Sequence, residues 1–224
     1  ILDSSEEGDD MLHRAYKGIQ RLRSLRLSKY NQAPDQLAPS VPAAGFALVV
    51  DQRQGDVSVL RSGSSANVFK DMLQYAIHKH GAQRVVVKSH PDSFIAGKEG
   101  YLVEIARASG VQVVSENINP WSLLDQAGHV YTVSSQLGFE ALLAGLPVTC
   151  FGMPFYAGWG LTRDRLHCER RCRALSLEHV FAAAYLRYTR YVNPDNGCPT
   201  CFEVAAERLA GMRDAELIKE HSFP

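Results

Sequence analysis

Three short stretches of the chain carry side chains that can act together on a phosphorylated or sugar-like ligand. Ser134 and Ser135 stand side by side where an apolar run ends and a helical pattern begins. A helix N-terminus supplies unpaired backbone N–H groups and a partial positive charge, and adjacent hydroxyls add donors, so the pair reads as a phosphate site. A plain helix N-cap is the competing reading. His90, at the end of another apolar run, can donate to a phosphate or to its leaving oxygen. Asp51 and Asp56 put two carboxylates on one loop, where such a group either attacks an electrophilic sugar carbon or holds turn backbone. Lys88 can neutralise phosphate or carboxylate charge, or stand exposed as lysines usually do. Glu140 lies about one and a half turns into the helix opened by the serines, where a carboxylate either accepts ribose hydroxyls or faces solvent.

A fourth stretch adds ring faces. Gly152, Pro154, Gly158 and Gly160 alternate with Phe155, Tyr156 and Trp159 in one loop. Such rings stack on the apolar face of a sugar or base, or tuck into the core of the protein. Cys168 and Cys172, with Cys198 and Cys201, have the number of thiolates that a zinc site takes, but the first pair lacks knuckle spacing, and incidental free thiols are the favoured reading. Five cysteines, an odd number, fit a reducing cytoplasm better than a disulfide framework.

These residues fall at the ends of strands in a repeating strand–helix pattern. Strands are predicted at 46–50, 84–91 (stopped by Pro91), 111–115, 129–134 and 146–152. Between them come helices at 66–81, 100–110, 119–128 and 135–145, with Asn119 as cap and Pro120 in the first turn of the third. Two more helices are predicted at 176–191 and 201–221. Apolar strands alternating with helices imply an α/β fold, a Rossmann-like parallel sheet with helices on both faces. In such a sheet ligands bind beyond the carboxyl ends of the strands. The loops that follow Val50, Val87, Val114, Val133 and Phe151 are therefore expected to converge, bringing Glu116 to the same end of the sheet.

Ahead of that sheet, residues 1–10 read as an acidic tail and 11–30 as an amphipathic helix, with Leu12, Tyr16, Ile19, Leu22 and Leu25 near helical spacing among basic residues. That helix either packs on the next domain or meets a membrane surface or partner. Residues 31–45, rich in proline, form a linker, and 46–224 the sheet domain with its C-terminal helices. Equal numbers of acidic and basic residues, 24 each, argue against a nucleic-acid binder. No apolar run approaches the ~20 residues of a membrane span, and no secretory signal opens the chain. An opening on Ile1 rather than Met fits a fragment or processed form.

Taken in order, "SKYN", "VVDQRQGDVSV", "VVVKSHPD", "GKEGYL", "VYTVSSQLGFEALLAGLPV", "CFGMPFYAGWGLTRDR" and "RYVNPDNG" make the chain resemble the bacterial capsule polysaccharide proteins that are retaining β-Kdo transferases, across about residues 19–200. The His-Pro and Ser-Ser pairs are also similar to those of bacterial sialyltransferases. The resemblance implies the donor-binding, Rossmann-like half of a GT-B-like glycosyltransferase that uses CMP-β-Kdo and builds on a glycolipid acceptor. It implies a cytoplasmic location, peripheral to the inner face of the membrane, within a capsule assembly complex. It places the CMP phosphate on Ser134 and Ser135 with His90 and Pro91 beside it, ribose on Glu140, and the nucleophile at Asp56. Glu116 is the general acid/base candidate, and no metal or other cofactor is expected. A degenerate transferase domain serving as a binding module, or a transferase for another CMP-sugar such as sialic acid, is the alternative. The family's acceptor-binding half has no counterpart here beyond the tail and first helix.

Overall fold

The computed structural model describes residues 8–29, 31, 33, 35, 41–89 and 100–221, the last five of these by helix path alone. The described residues form two compact units, one within 34–174 and one made of the residues up to Ala33 together with those from Leu175 onward.

The first unit is built on a six-stranded sheet. β1 (Phe46–Val50), β2 (Val85–Lys88), β3 (Gln112–Val114), β4 (Ala127–Thr132), β5 (Val148–Cys150) and β6 (Arg163–Asp164) lie in the order β3-β2-β1-β4-β5-β6, every neighbouring pair parallel. All five residues of β1 are buried, which requires cover on both faces. On one face Ala47, Val49, Val85, Val87 and Tyr131 pack with Phe69, Met72, Leu73 and Ala76 of α3 (Ala66–His80) and Ala106 of α4 (Val103–Ala108). On the other, Phe46, Leu48, Val86 and Val130 are equally buried, as the two-residue period of a strand requires.

The order reverses between β1 and β4. From β1 the chain runs through α2 (Val57–Arg61) and α3 outward to β2, whereas from β4 it runs through α6 (Gln136–Leu143) the opposite way to β5. The two loops that leave these neighbouring strands part company, and a crevice opens between them. The predicted Asn119 cap is present: its Oδ1 accepts from Trp121 N–H (3.1 Å) at the head of α5 (Pro120–Leu124).

The second unit gathers α1 (Asp9–Leu25), α7 (Leu177–Phe181), a π-helical turn at Ala182–Tyr188, the hairpin of β7 (Tyr191–Val192) and β8 (Pro199–Thr200), and α8 (Phe202–His221). The sequence had assigned the C-terminal helices to the sheet domain; the structure groups them with α1. Gly18 is the reason at residue level, because a Cβ there would stand 2.7 Å from the Phe181 ring and 3.1 Å from that of Phe202. The buried stripe of α1 is Ala15, Gly18, Ile19 and Leu22, and Tyr16, expected inside, is 51% exposed. Its basic side is partly paired within the unit: Arg14 binds Glu203 through two bonds of 2.7 and 2.9 Å, and Arg21 binds Glu207. That pairing leaves less charge for a lipid surface. Asp9 and Asp10, expected in the tail, form the first turn of α1, where acidic groups suit the helix dipole; residues 1–7, and 32, 34 and 36–40 of the expected linker, lie outside the described residues. Among the described residues no helix is long and apolar enough to cross a membrane.

Candidate functional site

The crevice between β1 and β4 holds Asp56 and Ser134, two of the polar groups that the strand ends were expected to bring together. The backbone turns sharply at Gly55 (φ +77°), and Asp56 caps α2, its Oδ1 accepting from Ser58 N–H at 2.8 Å. Across the crevice Ser135 caps α6 in the same way, its Oγ accepting from Leu137 N–H at 3.3 Å while its own N–H donates to Thr132 Oγ1 at 3.1 Å. Both cap readings therefore hold as local structure. A hydroxyl that accepts in a cap keeps its proton to donate, so capping leaves Ser135 able to meet an anion.

Gln52 joins the two sides. Its Nε2 lies 3.3 Å from Asp56 Oδ2, 3.0 Å from Ser58 Oγ and 3.2 Å from Ser134 Oγ. Its Oε1 accepts from the Ser134 N–H at 3.0 Å, and Ser58 Oγ and Ser134 Oγ are themselves 3.2 Å apart. Asp56 and Ser134 thus share one polar cluster although 78 positions separate them in the sequence (134 minus 56). Sequence reasoning missed Gln52, whose one signal is its place just past the end of β1 beside the reversal of strand order.

Asp51 faces inward. It is 6% exposed, and its Oδ1 accepts from Gln52 N–H and Tyr101 N–H, both at 2.9 Å. Burial raises its pKa to about 6, against the opposing pull of N–H groups from Leu102, Gln52 and Tyr101. The segment at Gly100 and Tyr101 is stitched to this loop by the Arg53–Gly100 bridge and by Gln54 Nε2 donating to Gly100 O at 3.2 Å. A Cβ at Gly100 would stand 2.0 Å from Asp51 Oδ2, so only glycine fits against that carboxylate. Asp51 is consequently a loop anchor by geometry.

Lys88 donates to the carbonyls of Ser89 (2.9 Å) and Glu116 (3.0 Å), tying the end of β2 to the loop after β3. Burial lowers its pKa to about 8, partly offset by the Glu116 carboxylate. Glu116 is exposed, with Oε2 accepting from Ser115 N–H at 2.9 Å. Glu140 is 5% exposed, so it does not lie on a solvated helix face. His90 and Pro91 lie outside the described residues.

The glycine–aromatic loop resolves into two parts. Tyr156 is fully buried and donates to Ser135 O at 2.5 Å; Trp159, 3% exposed, donates through Nε1 to Phe155 O at 2.9 Å with the Arg171 guanidinium 5.4 Å from its ring. Those two rings belong to the core, and the face left for stacking is that of Phe155, 37% exposed and 5.0 Å from the Phe139 ring. Gly152 permits a close approach: a Cβ there would meet Ser62 Oγ at 2.7 Å, Ser64 Oγ at 2.8 Å and Val133 O at 2.8 Å. The loop after α2 is pressed against the ends of β4 and β5 at this point, helped by Met153 N–H donating to Ser62 O at 3.1 Å. Cys168 and Cys172 lie in one unit and Cys198 and Cys201 in the other, all four as free thiols. Among the described residues no group of three or more His, Cys, Asp or Glu side chains is placed to hold a metal ion.

Known proteins share this arrangement of chain. A family model described as capsule polysaccharide biosynthesis protein matches residues 11–191. The capsule polysaccharide modification protein LipA of Neisseria meningitidis serogroup B is 39% identical over 210 residues, covering 88% of this chain and 29% of LipA. The lipopolysaccharide-processing protein LpsZ of Rhizobium meliloti is 34% identical over 206 residues, 91% of this chain and 47% of LpsZ. The chain therefore spans less than a third of LipA and about half of LpsZ. Among solved structures, the KpsC beta Kdo 2,4 transferase of Thermosulfurimonas dismutans superposes with a TM-score of 0.87 at 38% identity, over 94% of this chain and 68% of that one. The KpsC beta Kdo 2,7 transferase of the same organism gives 0.71 at 29% identity, over 95% and 65%.

Proposed function

Because the chain belongs to the capsule polysaccharide biosynthesis protein family, we propose that it is the donor-binding half of a glycosyltransferase that moves Kdo from CMP-β-Kdo to a glycolipid acceptor with retention. The observation that carries this reading is the polar cluster at the strand-order reversal, which draws an acidic loop and a pair of hydroxyls at a helix start into one crevice.

In this reading the CMP phosphate lies against Ser134 and Ser135 at the head of α6, with His90 and Pro91 as its further partners and ribose toward Glu140. The acceptor brings the protein to the cytoplasmic face of the membrane. An Asp56 oxygen attacks C2 of Kdo, the bond from C2 to the phosphate oxygen breaks, and CMP leaves with the electron pair. The acceptor hydroxyl then attacks C2 from the opposite side, the bond to Asp56 breaks, and the hydroxyl proton passes to a base, for which Glu116 is the candidate. Two inversions give net retention. The carboxylate on C2 and the departing phosphate monoester both place negative charge in the crevice. The stabilising effort therefore falls on oriented donors more than on strong acid catalysis.

Asp56→Asn is the discriminating variant. Asparagine caps a helix as well as aspartate does, so α2 survives while the nucleophile is gone. The expected result is CMP binding unchanged by calorimetry, with no glycosyl–enzyme adduct detectable by intact-protein mass spectrometry after CMP-Kdo is added to the wild type's concentration. Adduct formation by Asp56→Asn at the wild-type rate would sink the nucleophile assignment, and absence of any heat with CMP would sink the donor site. Parallel titrations with UDP and GDP test the nucleotide class.

A further inference from the structure

Gln52 is the residue on which the other polar groups of the crevice converge. Its amide orientation is forced by its neighbours: the Ser134 N–H is a donor only and the Asp56 carboxylate an acceptor only. A flipped amide would set N–H against N–H and oxygen against oxygen. The side chain is buried, 8% exposed, and its backbone N–H is fixed in turn by Asp51 Oδ1 at 2.9 Å. The loop it reaches needs such a tie. α2 is five residues long, and of its apolar side chains only Val59 is buried, while Val57 and Leu60 are 64% and 66% exposed. Packing holds α2 weakly, so the direction of the Asp56 carboxylate depends on polar contacts.

We propose that Gln52 is the positioning residue that ties the Asp56 carboxylate to the Ser134–Ser135 turn, so that the two sides of the crevice hold one spacing. The proposal rests on the reading of Asp56 as nucleophile. Gln52 touches neither donor nor acceptor in this role; it acts through Asp56 and Ser134. A carboxylate held by Ser58 N–H on one oxygen and by Gln52 on the other is aimed before the sugar arrives, and misplacement by about 1 Å costs on the order of 10²-fold in rate.

The test uses the full chain with CMP-Kdo as probe, in two variants. Gln52→Met removes both hydrogen-bonding ends at similar length. It is expected to slow glycosyl–enzyme formation on the order of 10²-fold, with a much smaller loss of CMP affinity, because Ser134 loses a partner while the rest of its turn is untouched. Gln52→Glu keeps the shape but donates only when protonated, so its rate relative to wild type is expected to rise as the pH is lowered, because the acid form bonds Asp56 again and the ionised form repels it. A purely packing role would give Gln52→Glu the pH profile of the wild type, and that result overturns the proposal. So does Gln52→Met forming the adduct at the normal rate, or losing rate and CMP affinity by the same factor. A wild type that forms no adduct and binds no CMP instead overturns the proposed function. Gln52 is then judged by thermal unfolding of Gln52→Met, Asp56→Asn and the double variant: non-additive shifts support the tie, additive shifts sink it.

Discussion

Asp51 and Asp56 differ by five positions and by everything in their surroundings. Asp56 lies at the crevice, held by Ser58 N–H and Gln52, while Asp51 is buried beneath it with Oδ2 pressed toward Gly100 and without a hydrogen-bond partner among the described residues. The folded-state pKa of Asp51, about 6, stands above its ordinary value of 3.8, so the folded chain holds this proton more tightly than the unfolded one. Its contribution is fully present below pH 3.8 and is lost as the pH rises through about 6, a change of at most about 3 kcal/mol. Glu203, its pKa lowered to about 2 by the bond from Arg14, titrates with the opposite sign, so the difference between wild type and a variant is the quantity to measure. Asp51→Asn is expected to gain stability relative to wild type between pH 4 and 7 in urea unfolding followed across that range. A difference that stays flat would refute the burial argument. None of this was legible in the sequence, where both aspartates read as one loop with two carboxylates: which one faces inward is decided by Gly100, 44 positions beyond Asp56. Gln52 was illegible for a related reason, since an uncharged amide shows its importance only through what lies across the crevice.

At the scale of elements, the sequence succeeded where a pattern repeats and failed where the chain is short. β1, β2, β4 and α3 carry long enough apolar periods to be read directly. α2 has five residues, and β6 pairs only Arg163 and Asp164, too few for a period to register. The segment predicted as one helix at 176–191 begins as α7, widens into a π-helical turn and ends in β7, a change of winding that apolar spacing does not encode. The aromatic loop was legible as special but not as buried. Its anchoring involves Asp164 and Arg171: Asp164 Oδ2 accepts from Gly158 N–H at 2.8 Å, and Arg171 donates to Pro154 O and Ala157 O. Tyr156 links that loop to the head of α6 and occupies the space that Gly138 leaves, where a Cβ would stand 2.2 Å from the tyrosine oxygen and 2.8 Å from Thr132 Cγ2. Gly138→Ala is therefore expected to cost about 1–3 kcal/mol, seen as a lower Tm. Adding Tyr156→Phe should recover part of that loss by removing the obstructing oxygen, and a single Gly138→Ala variant as stable as wild type would contradict the packing described.

Across the whole molecule, the parallel sheet and its strand-end loops were legible, and the grouping of α1 with the C-terminal helices was not, because Gly18, Phe181 and Phe202 have no common pattern in the sequence. Under the proposed function, the reversal between β1 and β4 has a consequence for how the sheet unit responds to a nucleotide. The two walls of the crevice belong to chain segments that wind away to opposite edges, toward β3 on one side and β6 on the other. Hydrogen exchange with CMP present is expected to slow in β2 and β5 alike, and slowing on one side only would contradict a shared crevice. A guest gripped by both walls cannot be held by either lobe of the sheet alone, so its affinity doubles as a sensor of completed folding: a half-assembled domain would be blind to the nucleotide.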